Sequence, residues 1–264
     1  ERSTIITLVD SFHGRTITTL AATGQEVFHT DFGPFTPGFK YCPANDIEAL
    51  RKMVTDDVCA IMFECIQGEG GVNNLNEDFV AEINTLAKEK DILMVVDEVQ
   101  TGNGRTGKYF SYEHFGIKPD IVSTAKGLGG GLPIGAVLFG EKTADCVTPS
   151  SHGSTFGGNP IVAAGAISIV ERIDDDFLIA VTEKGKYIKN FVKNIKGVKS
   201  ISGMGLMVGI ETHKNAGDIA KECLEKGLLV LTAHKNKVRL LPALNISFGE
   251  LNEGLNILKE VIEK

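Results

Sequence analysis

The chain has 264 residues, of which 42% are hydrophobic and 23% are charged, as is usual for a soluble globular protein. Its formal charge is −7, from 27 basic and 34 acidic residues, and no run of lysine or arginine stands out, so neither a nucleic acid nor an anionic membrane is expected as a partner. No apolar stretch approaches the roughly 18–20 residues that span a bilayer, and no signal peptide is visible.

Short apolar runs predict strands in the first 140 residues, at 5–9, 59–63, 92–96, 121–124 and 134–139. The first four are nearly continuous, which is typical of strands buried on both faces of a parallel sheet. A helical pattern over residues 76–91, with Asn76 as the N-cap, lies between two of them. Strand, helix and strand in this order predict a right-handed crossover and a sheet that is at least partly parallel.

The pattern changes after residue 158. Two long helices are predicted at 160–172 and 175–195, followed by short strands near 198–202, 207–211, 228–232 and 237–241, with a helix at 218–226 among them. The capping box Ser247-x-x-Glu250 opens a final helix with Leu251, Leu255 and Leu258 on one face. We therefore expect a large domain over residues 1–172 and a small α+β domain over residues 173–264.

The five cysteines are odd in number, scattered and without a C-x-x-C pair. They are Cys42, Cys59, Cys65, Cys146 and Cys223. Disulfide frameworks and metal sites need paired or closer spacing, so reduced thiols in a cytoplasmic protein are expected, with no metal site.

The stretch VVDEVQTGNGRTG contains Gly102-x-Gly104-x-x-Gly107, the spacing of a dinucleotide-binding fingerprint. Such a fingerprint needs a strand that runs straight into the first glycine and a helix whose N-terminus meets the pyrophosphate. Here five residues, beginning with Asp97 and Glu98, separate the predicted strand from the glycines, and two carboxylates would repel a pyrophosphate. The residues that follow do not resemble a helix start. We interpret the glycines as a loop.

Asp97 stands at the carboxyl end of a predicted buried strand, where open α/β sheets place their ligands. Lys126 follows the next predicted strand and precedes the glycine-rich residues 127–131. Such a lysine can reach inward, and burial would make it a better nucleophile towards aldehydes. Taken singly, Asp97 is more simply interpreted as a strand-end cap and Lys126 as a solvated loop lysine. Together they match pyridoxal phosphate, which needs a Schiff-base lysine and an acid beside its ring nitrogen.

Seven segments of the chain resemble the class III (subgroup II) pyridoxal phosphate-dependent aminotransferases, in that family's order. They are SFHGRT (11–16), IQGEGGV (66–72), VVDEVQTGNGRTG (95–107), PDIVSTAKGLGGGLPIGA (119–136), HGSTFGGNP (152–160), GMGLMVGIE (203–211) and VRLLPAL (238–244). The resemblance implies a fold-type I α/β architecture with a mostly parallel central sheet, flanking helices and a small C-terminal α+β domain. It also implies transfer of the terminal amino group of N-acetylornithine to 2-oxoglutarate, in arginine biosynthesis.

The resemblance assigns roles around the cofactor. Lys126 would bind pyridoxal phosphate covalently and then carry the proton between the substrate and the cofactor. Asp97 would pair with the pyridine nitrogen, and Gln100 would hydrogen-bond the phenolic oxygen. Val99 and Phe12 would pack on opposite faces of the ring. Without the resemblance, Phe12 would be interpreted as an ordinary aromatic residue of the core.

Three further residues resemble the family's substrate-binding groups. Arg15 would grip the α-carboxylate of the ornithine-type substrate, because a guanidinium meets a carboxylate with two parallel hydrogen bonds. Arg239 would bind the α-carboxylate of glutamate or 2-oxoglutarate, and Glu69 would mask Arg239 in one half-reaction. Without the family context, an arginine and a glutamate would read as an ordinary surface ion pair, which contributes little.

The resemblance also implies a homodimer with shared active sites. Ser154 and Thr155 would reach the cofactor phosphate of the neighbouring subunit; without the family, this stretch is only a glycine-rich loop before a helix. His13 is assigned no more than packing beside the cofactor.

Two departures from the family pattern stand out. Cys65 follows Glu64 where the family usually has proline, which alters local stiffness rather than chemistry. The chain opens at Glu1 without methionine and almost at once enters a strand pattern, so we expect a fragment that lacks the N-terminal portion. In the family that portion supplies a phosphate-binding helix N-terminus, and its loss weakens cofactor binding.

Several alternatives remain open at this point. The same core residues occur in aminotransferases that act on ornithine, succinylornithine or 4-aminobutyrate. A racemase or aminomutase of the same fold and cofactor is a second possibility. The third is an inactive truncated remnant that only dimerises or binds partners.

Overall fold

The computed structural model describes residues 2–264; Glu1, on which the prediction of a fragment rests in part, lies outside the described residues. The strands are β1 (Thr4–Leu8), β2 (Phe39–Cys42), β3 (Val58–Phe63), β4 (Ile66–Gln67), β5 (Asn73–Asn74), β6 (Leu93–Asp97), β7 (Ile121–Thr124), β8 (Ala136–Phe139), β9 (Val198–Met204), β10 (Met207–Thr212), β11 (Leu231–His234) and β12 (Lys237–Leu240). The α-helices are α1 (Ile17–Ala22), α2 (Ile47–Met53), α3 (Glu77–Glu89), α4 (Pro160–Val170), α5 (Asp175–Val192), α6 (Ala216–Glu225) and α7 (Phe248–Glu263).

The first sheet has six strands in the order β2-β1-β3-β6-β7-β8. All neighbouring pairs are parallel except β7 with β8. The five strands predicted in this part of the chain are all present, and the mostly parallel sheet is confirmed. The prediction missed β2, whose sequence FKYC does not form a continuous apolar run. Parallel strands buried by flanking helices bring their carboxyl ends to one edge, and that edge carries the candidate site.

Apolar side chains of β1, β3 and β6 and of α3 form the core of the first sheet. Helix α3 buries Phe79, Val80 and Ile83 against the strands, as its helical spacing predicts. Asn76 occupies the predicted N-cap position, but its side chain makes no capping hydrogen bond. Helix α3 therefore owes its place to burial of its apolar face rather than to a cap.

The second sheet is antiparallel, in the order β11-β12-β10-β9, and packs with α5, α6 and α7 around a separate apolar core. The predicted capping box at the start of α7 is confirmed, since the Ser247 hydroxyl accepts from the Glu250 N–H and the Glu250 carboxylate accepts from the Ser247 N–H. The strand predicted over 228–232 starts later, at Leu231. The reason is that the Leu228 N–H still donates to the Cys223 carbonyl and closes the end of α6.

The predicted boundary near residue 173 falls between α4 and α5 and stays a prediction. None of the helices among residues 2–264 combines the length and the apolar character needed to cross a bilayer.

Gly185 marks the closest approach of α5 to the turn between β9 and β10. A Cβ at this position would lie 2.3 Å from the backbone oxygen of Gly205, which cannot move without shifting the turn. We expect Gly185→Ala to lower the free energy of unfolding by about 1–3 kcal/mol, because the steric clash outweighs the gain in helix propensity of about 1 kcal/mol. Chemical denaturation of both proteins measures the difference.

The matched control is Gly249→Ala in α7, where a Cβ would meet only the Ser247 hydroxyl at an ordinary 3.8 Å. This variant should unfold at the same denaturant concentration as the parent chain or slightly above it. Equal losses in the two alanine variants would show that the approach at Gly205 does not limit the packing of α5.

Candidate active site

Three neighbouring parallel strands of the first sheet end in, or lead directly to, charged side chains. Glu64 follows β3, Asp97 is the last residue of β6, and Lys126 comes two residues after β7. Asp97 lies opposite Ser123 in the register of β6 with β7, so the carboxylate and the lysine are at the same edge. This is the edge at which open α/β sheets bind ligands.

Asp97 is only 5% exposed and is held by three hydrogen-bond partners. Its Oδ1 accepts from the Val99 N–H at 3.0 Å and from the Ser123 hydroxyl at 3.2 Å. Its Oδ2 lies 2.8 Å from Nδ1 of His13, whose side chain is completely buried. These partners fix the orientation of the carboxylate at the strand end. The pairing with His13 corrects the prediction that His13 contributes packing alone.

A second carboxylate, Glu64, is buried beneath the same edge. Its Oε2 accepts from the Phe12 N–H at 3.0 Å and its Oε1 from the Gly68 N–H at 3.4 Å. Burial raises the pKa of Glu64 to about 7; the charge of His13 opposes this rise and the charge of Asp97 adds to it. Glu64 therefore changes its protonation state near neutral pH.

Lys126 begins a single 3-10 turn, Lys126–Gly129, with its backbone in the left-handed region at a φ of 49°. Asn103 fixes the preceding residues, since its Nδ2 donates to the Thr124 hydroxyl oxygen at 3.0 Å and to the Ala125 carbonyl at 3.1 Å. A left-handed lysine costs of order 1–3 kcal/mol and persists only where its surroundings impose it, which is common at functional sites. The constraint sets the direction in which the lysine leaves the sheet.

The side chain of Lys126 is exposed rather than buried. It opens onto a small cleft that Val99 and Gln100 also line. Three of the predicted cofactor-binding residues therefore share one cleft.

The predicted pair of Glu69 and Arg239 is in direct contact. Arg239, which is 5% exposed, donates through one terminal nitrogen to Glu69 Oε1 at 2.9 Å, to the Gly68 carbonyl at 2.7 Å and to Gln100 Oε1 at 3.1 Å. Gln100 in turn donates to Glu69 Oε1 at 3.2 Å. Arg239 belongs to β12 of the second sheet, whereas Gln100 lies in the loop that follows β6 of the first sheet, so the contact links the two parts of the chain.

Glu69 shows the opposite electrostatic balance to Glu64. Partial burial favours the neutral carboxyl, but the hydrogen bond and charge of Arg239, the hydrogen bond from Gln100 and the charge of Lys126 together hold the pKa of Glu69 below its usual value. Glu69 is therefore ionised at neutral pH and neutralises part of the arginine's charge.

Phe12 and Arg15 form a small aromatic and cationic cluster with Phe28. The rings of Phe12 and Phe28 meet edge to face with centroids 5.2 Å apart, and the Arg15 guanidinium lies 4.8 Å from the Phe28 centroid and 5.5 Å from that of Phe12. Arg15 is exposed, and such cation–π contacts contribute about 0.5–1 kcal/mol at exposed sites. The arginine thus lies above Phe12 with its charge free of any carboxylate among the described ion pairs.

Ser154 and Thr155 lie apart from these groups, in an exposed loop before α4. The Ser154 hydroxyl accepts from the Gly157 N–H at 3.0 Å. Within residues 2–264, no hydrogen bond joins this loop to Asp97, Gln100 or Lys126. The predicted reach of Ser154 and Thr155 to the site of a neighbouring subunit stays a prediction.

The aminotransferase class-III family model matches residues 1–262 of the chain. The acetylornithine aminotransferase of Haemophilus ducreyi is 48% identical over 266 residues, which cover 100% of this chain and 67% of that protein. The chain belongs to the class III aminotransferases. Its resemblance to that family is thereby confirmed.

Two solved structures share the fold of this class III aminotransferase. The ornithine aminotransferase of Toxoplasma gondii, described with partial occupancy of PLP at its active site, superposes with a TM-score of 0.90 at 30% identity and covers 100% of this chain and 65% of its own. The N-acetylornithine aminotransferase of Stenotrophomonas maltophilia superposes with a TM-score of 0.82 at 34% identity and covers 99% and 66%. The chain thus spans about two thirds of the length of its relatives, and the fold-type I architecture is confirmed.

Sequence reasoning missed the roles of two residues in this site. Glu64 directly follows the apolar run of β3, so a carboxylate at a buried strand end was a usable signal. His13 pairs with a residue 84 positions further along the chain, and nothing in its local sequence indicates that partner.

The titration of Glu64 yields a pH prediction for the cofactor-free chain. Because the folded-state pKa of about 7 lies above the ordinary 4.5, the folded chain binds this proton more tightly than the unfolded chain. The resulting stabilisation is complete below about pH 4.5 and is lost as the pH rises through about 7, with a total of about 3 kcal/mol. Glu64→Gln cannot titrate and should lack this component. Urea denaturation between pH 4.5 and pH 8 measures it as the difference between the two chains. Parallel pH profiles would contradict the titration of Glu64 in this range.

Proposed function

We propose that the protein is an aminotransferase that moves the terminal amino group of N-acetylornithine to 2-oxoglutarate, giving N-acetylglutamate semialdehyde and glutamate. Pyridoxal 5′-phosphate is the proposed cofactor. The observation that carries the proposal is the placement of Asp97 and Lys126 at the ends of adjacent parallel strands, beside a cleft that Gln100 and Val99 line.

The residues at this edge fit pyridoxal phosphate. A protonated pyridine nitrogen needs a fixed, buried carboxylate, and Asp97 is held by three partners at a strand end. An aldehyde needs an accessible amine, and Lys126 is exposed. His13 Nε2 is buried without a hydrogen-bond partner in the described chain, so the site holds a polar atom that its own residues leave unsatisfied. When bound, pyridoxal phosphate supplies an electron-withdrawing ring that stabilises negative charge developing on the substrate.

The chain's own residues would divide the work around that ring. The Lys126 amine would hold the cofactor and, when free, take a proton from the substrate carbon that bears the amino group and deliver it to the cofactor. Asp97, oriented by His13, would keep the ring nitrogen protonated. Gln100 would meet the phenolic oxygen, and Val99 and Phe12 would confine the two ring faces.

Arg15, Arg239 and Glu69 would select the two substrates in turn. N-acetylornithine reacts at its chain end, so its α-carboxylate lies far from the reacting carbon, within the proposed reach of Arg15. Glutamate reacts at its α-carbon and needs a cation close to the ring, which Arg239 provides once Glu69 releases it. The contact at 2.9 Å supports this role, because it corresponds to the masked form of the arginine.

We also propose that two copies of the protein associate and share their sites, with Ser154 and Thr155 reaching the partner's cofactor phosphate. The support is the exposure of large apolar side chains on β8 and on α4. Strand β8 exposes Val137 by 51%, and helix α4 exposes Ile161 by 71% and Ile167 by 57%. Exposed groups of large apolar side chains are typical of protein–protein interfaces.

The first test is borohydride reduction of the protein after incubation with pyridoxal phosphate, followed by peptide mass mapping. We expect a pyridoxyl adduct on the peptide that carries Lys126 and its loss in Lys126→Ala, together with loss of transamination. The control is Lys118→Ala, which removes an exposed lysine on the loop before β7 that pairs only with the exposed Glu141. Label spread over surface lysines would contradict Lys126 as the cofactor lysine.

Ornithine is the second candidate substrate, because an ornithine aminotransferase shares the fold at a TM-score of 0.90. Succinylornithine and 4-aminobutyrate remain further alternatives within the same chemistry.

We expect kcat/KM for N-acetylornithine to exceed that for ornithine and 4-aminobutyrate by about tenfold or more, since each added 1.4 kcal/mol of transition-state binding gives a factor of ten. Steady-state kinetics with 2-oxoglutarate as acceptor measure the ratios. A higher kcat/KM for either competitor would reassign the donor, racemisation without transfer would indicate a different reaction, and no turnover with any donor would indicate an inactive remnant.

A further inference from the structure

The loop that carries the glycine fingerprint also joins the two sheets. Its Arg105 donates through one terminal nitrogen to the Leu206 carbonyl at 3.0 Å and to the Pro242 carbonyl at 2.7 Å. In return, the Leu206 N–H donates to the Arg105 carbonyl at 3.0 Å. One residue of the loop therefore binds two separate backbone segments of the second sheet.

Those two segments meet at the carboxyl end of β12, the strand that carries Arg239. Leu206 immediately precedes β10, and Pro242 lies three residues after Arg239, just beyond the end of β12. Strands β10 and β12 are paired, with Gly209 opposite Arg239. Because both carbonyls meet the same guanidinium, Arg105 holds the start of β10 and the end of β12 together.

The backbone of the loop and the turn between β9 and β10 are in close contact at the same place. A Cβ on Gly205 would lie 2.5 Å from the backbone carbon of Thr106, and a Cβ on Gly107 would lie 2.2 Å from the Thr182 hydroxyl of α5. Both glycines have positive φ, of 52° and 88°. In the spacing that resembles a dinucleotide fingerprint, Gly107 is therefore explained by the close approach of α5 to the loop.

Arg105 bears its charge without a carboxylate partner. None of the ion pairs among residues 2–264 includes Arg105, and burial lowers its pKa to about 10. A poorly solvated cation that is bound only by carbonyls is costly, and a neutral side chain would avoid that cost. The fork of an arginine, however, can meet two carbonyls from different segments at once.

We infer that Arg105 is a positioning residue that sets the place of Arg239 relative to the cofactor cleft. The inference rests on the proposed role of Arg239 in binding 2-oxoglutarate. The same loop supplies Gln100, whose side-chain oxygen accepts from Arg239 at 3.1 Å, and it begins at Asp97. One segment of about ten residues thus contains Asp97, the proposed partner of the ring nitrogen, Gln100, which bonds Arg239, and Arg105, which holds the end of β12.

The test compares Arg105→Met and Arg105→Lys with the parent in the cofactor-loaded protein. We expect Arg105→Met to raise KM for 2-oxoglutarate by about tenfold or more while changing KM for N-acetylornithine by less than about twofold, because small displacements of a substrate-binding group are costly only to the substrate that uses it. Arg105→Lys retains one charged donor and should recover part of the loss. Asn74→Ala is the matched control, since it removes the Asn74 side-chain bonds to Gly203 of β9, a contact that β5 makes with the second sheet, without touching β12.

A selective rise in KM for 2-oxoglutarate, absent in Asn74→Ala, would support the positioning role. Equal changes in both KM values, or a loss of turnover with both substrates, would overturn it.

Amide hydrogen exchange of residues 237–240 in the unloaded chain gives a second readout that does not depend on activity. We expect faster exchange in Arg105→Met than in the parent or Asn74→Ala; unchanged exchange would overturn the inference even if the enzyme used other substrates. An absence of 2-oxoglutarate turnover in the parent, with faster exchange in Arg105→Met, would refute the proposed function and leave the anchoring of β12 established.

Discussion

The parallel pairing of β3, β6 and β7 is the constraint on which the candidate site depends. Parallel strands point their carboxyl ends to one edge, so Glu64, Asp97 and Lys126 meet there although they are separated by dozens of residues in the chain. The register of Asp97 opposite Ser123 then gives the carboxylate one of its three donors. A shift by one residue would turn Asp97 to the other face of the sheet and separate it from both His13 and the cleft.

The segment after Asp97 shows how a short glycine pattern takes its meaning from what packs against it. In a dinucleotide-binding fold, the glycines admit a pyrophosphate close to the backbone. Here positive φ values at Gly104 and Gly107 let the loop turn within hydrogen-bonding distance of the second sheet, and side chains of α5 occupy the space where a Cβ would project. The absence of side chains therefore serves contact between two parts of one protein rather than contact with a ligand.

Local patterns predicted the elements that are apolar and regular, and long-range pairing decided what they missed. Strand β7 was predicted residue for residue, and the capping box located the start of α7, because both signals lie within a few neighbouring positions. Asp97 and Lys126 could be selected because each follows a buried run. The partners of these residues could not be derived in this way, since His13 joins Asp97 across 84 positions and Arg239 joins Glu69 across 170. The resemblance to a family named the second pair, but only the fold brings its members into contact.

Two glutamates near the cleft show how one residue type acquires two different charges. Glu64 is enclosed with no arginine or lysine bonded to it, so desolvation dominates and its pKa rises to about 7. Glu69 is also partly desolvated, but Arg239 and Gln100 bond to it and its pKa falls below the usual value. The difference follows from the second sheet, which supplies Arg239 to one carboxylate and nothing to the other. Because Gln100 and the anchoring Arg105 belong to one loop, the docking of that sheet determines both the geometry of the ion pair and the charge on Glu69.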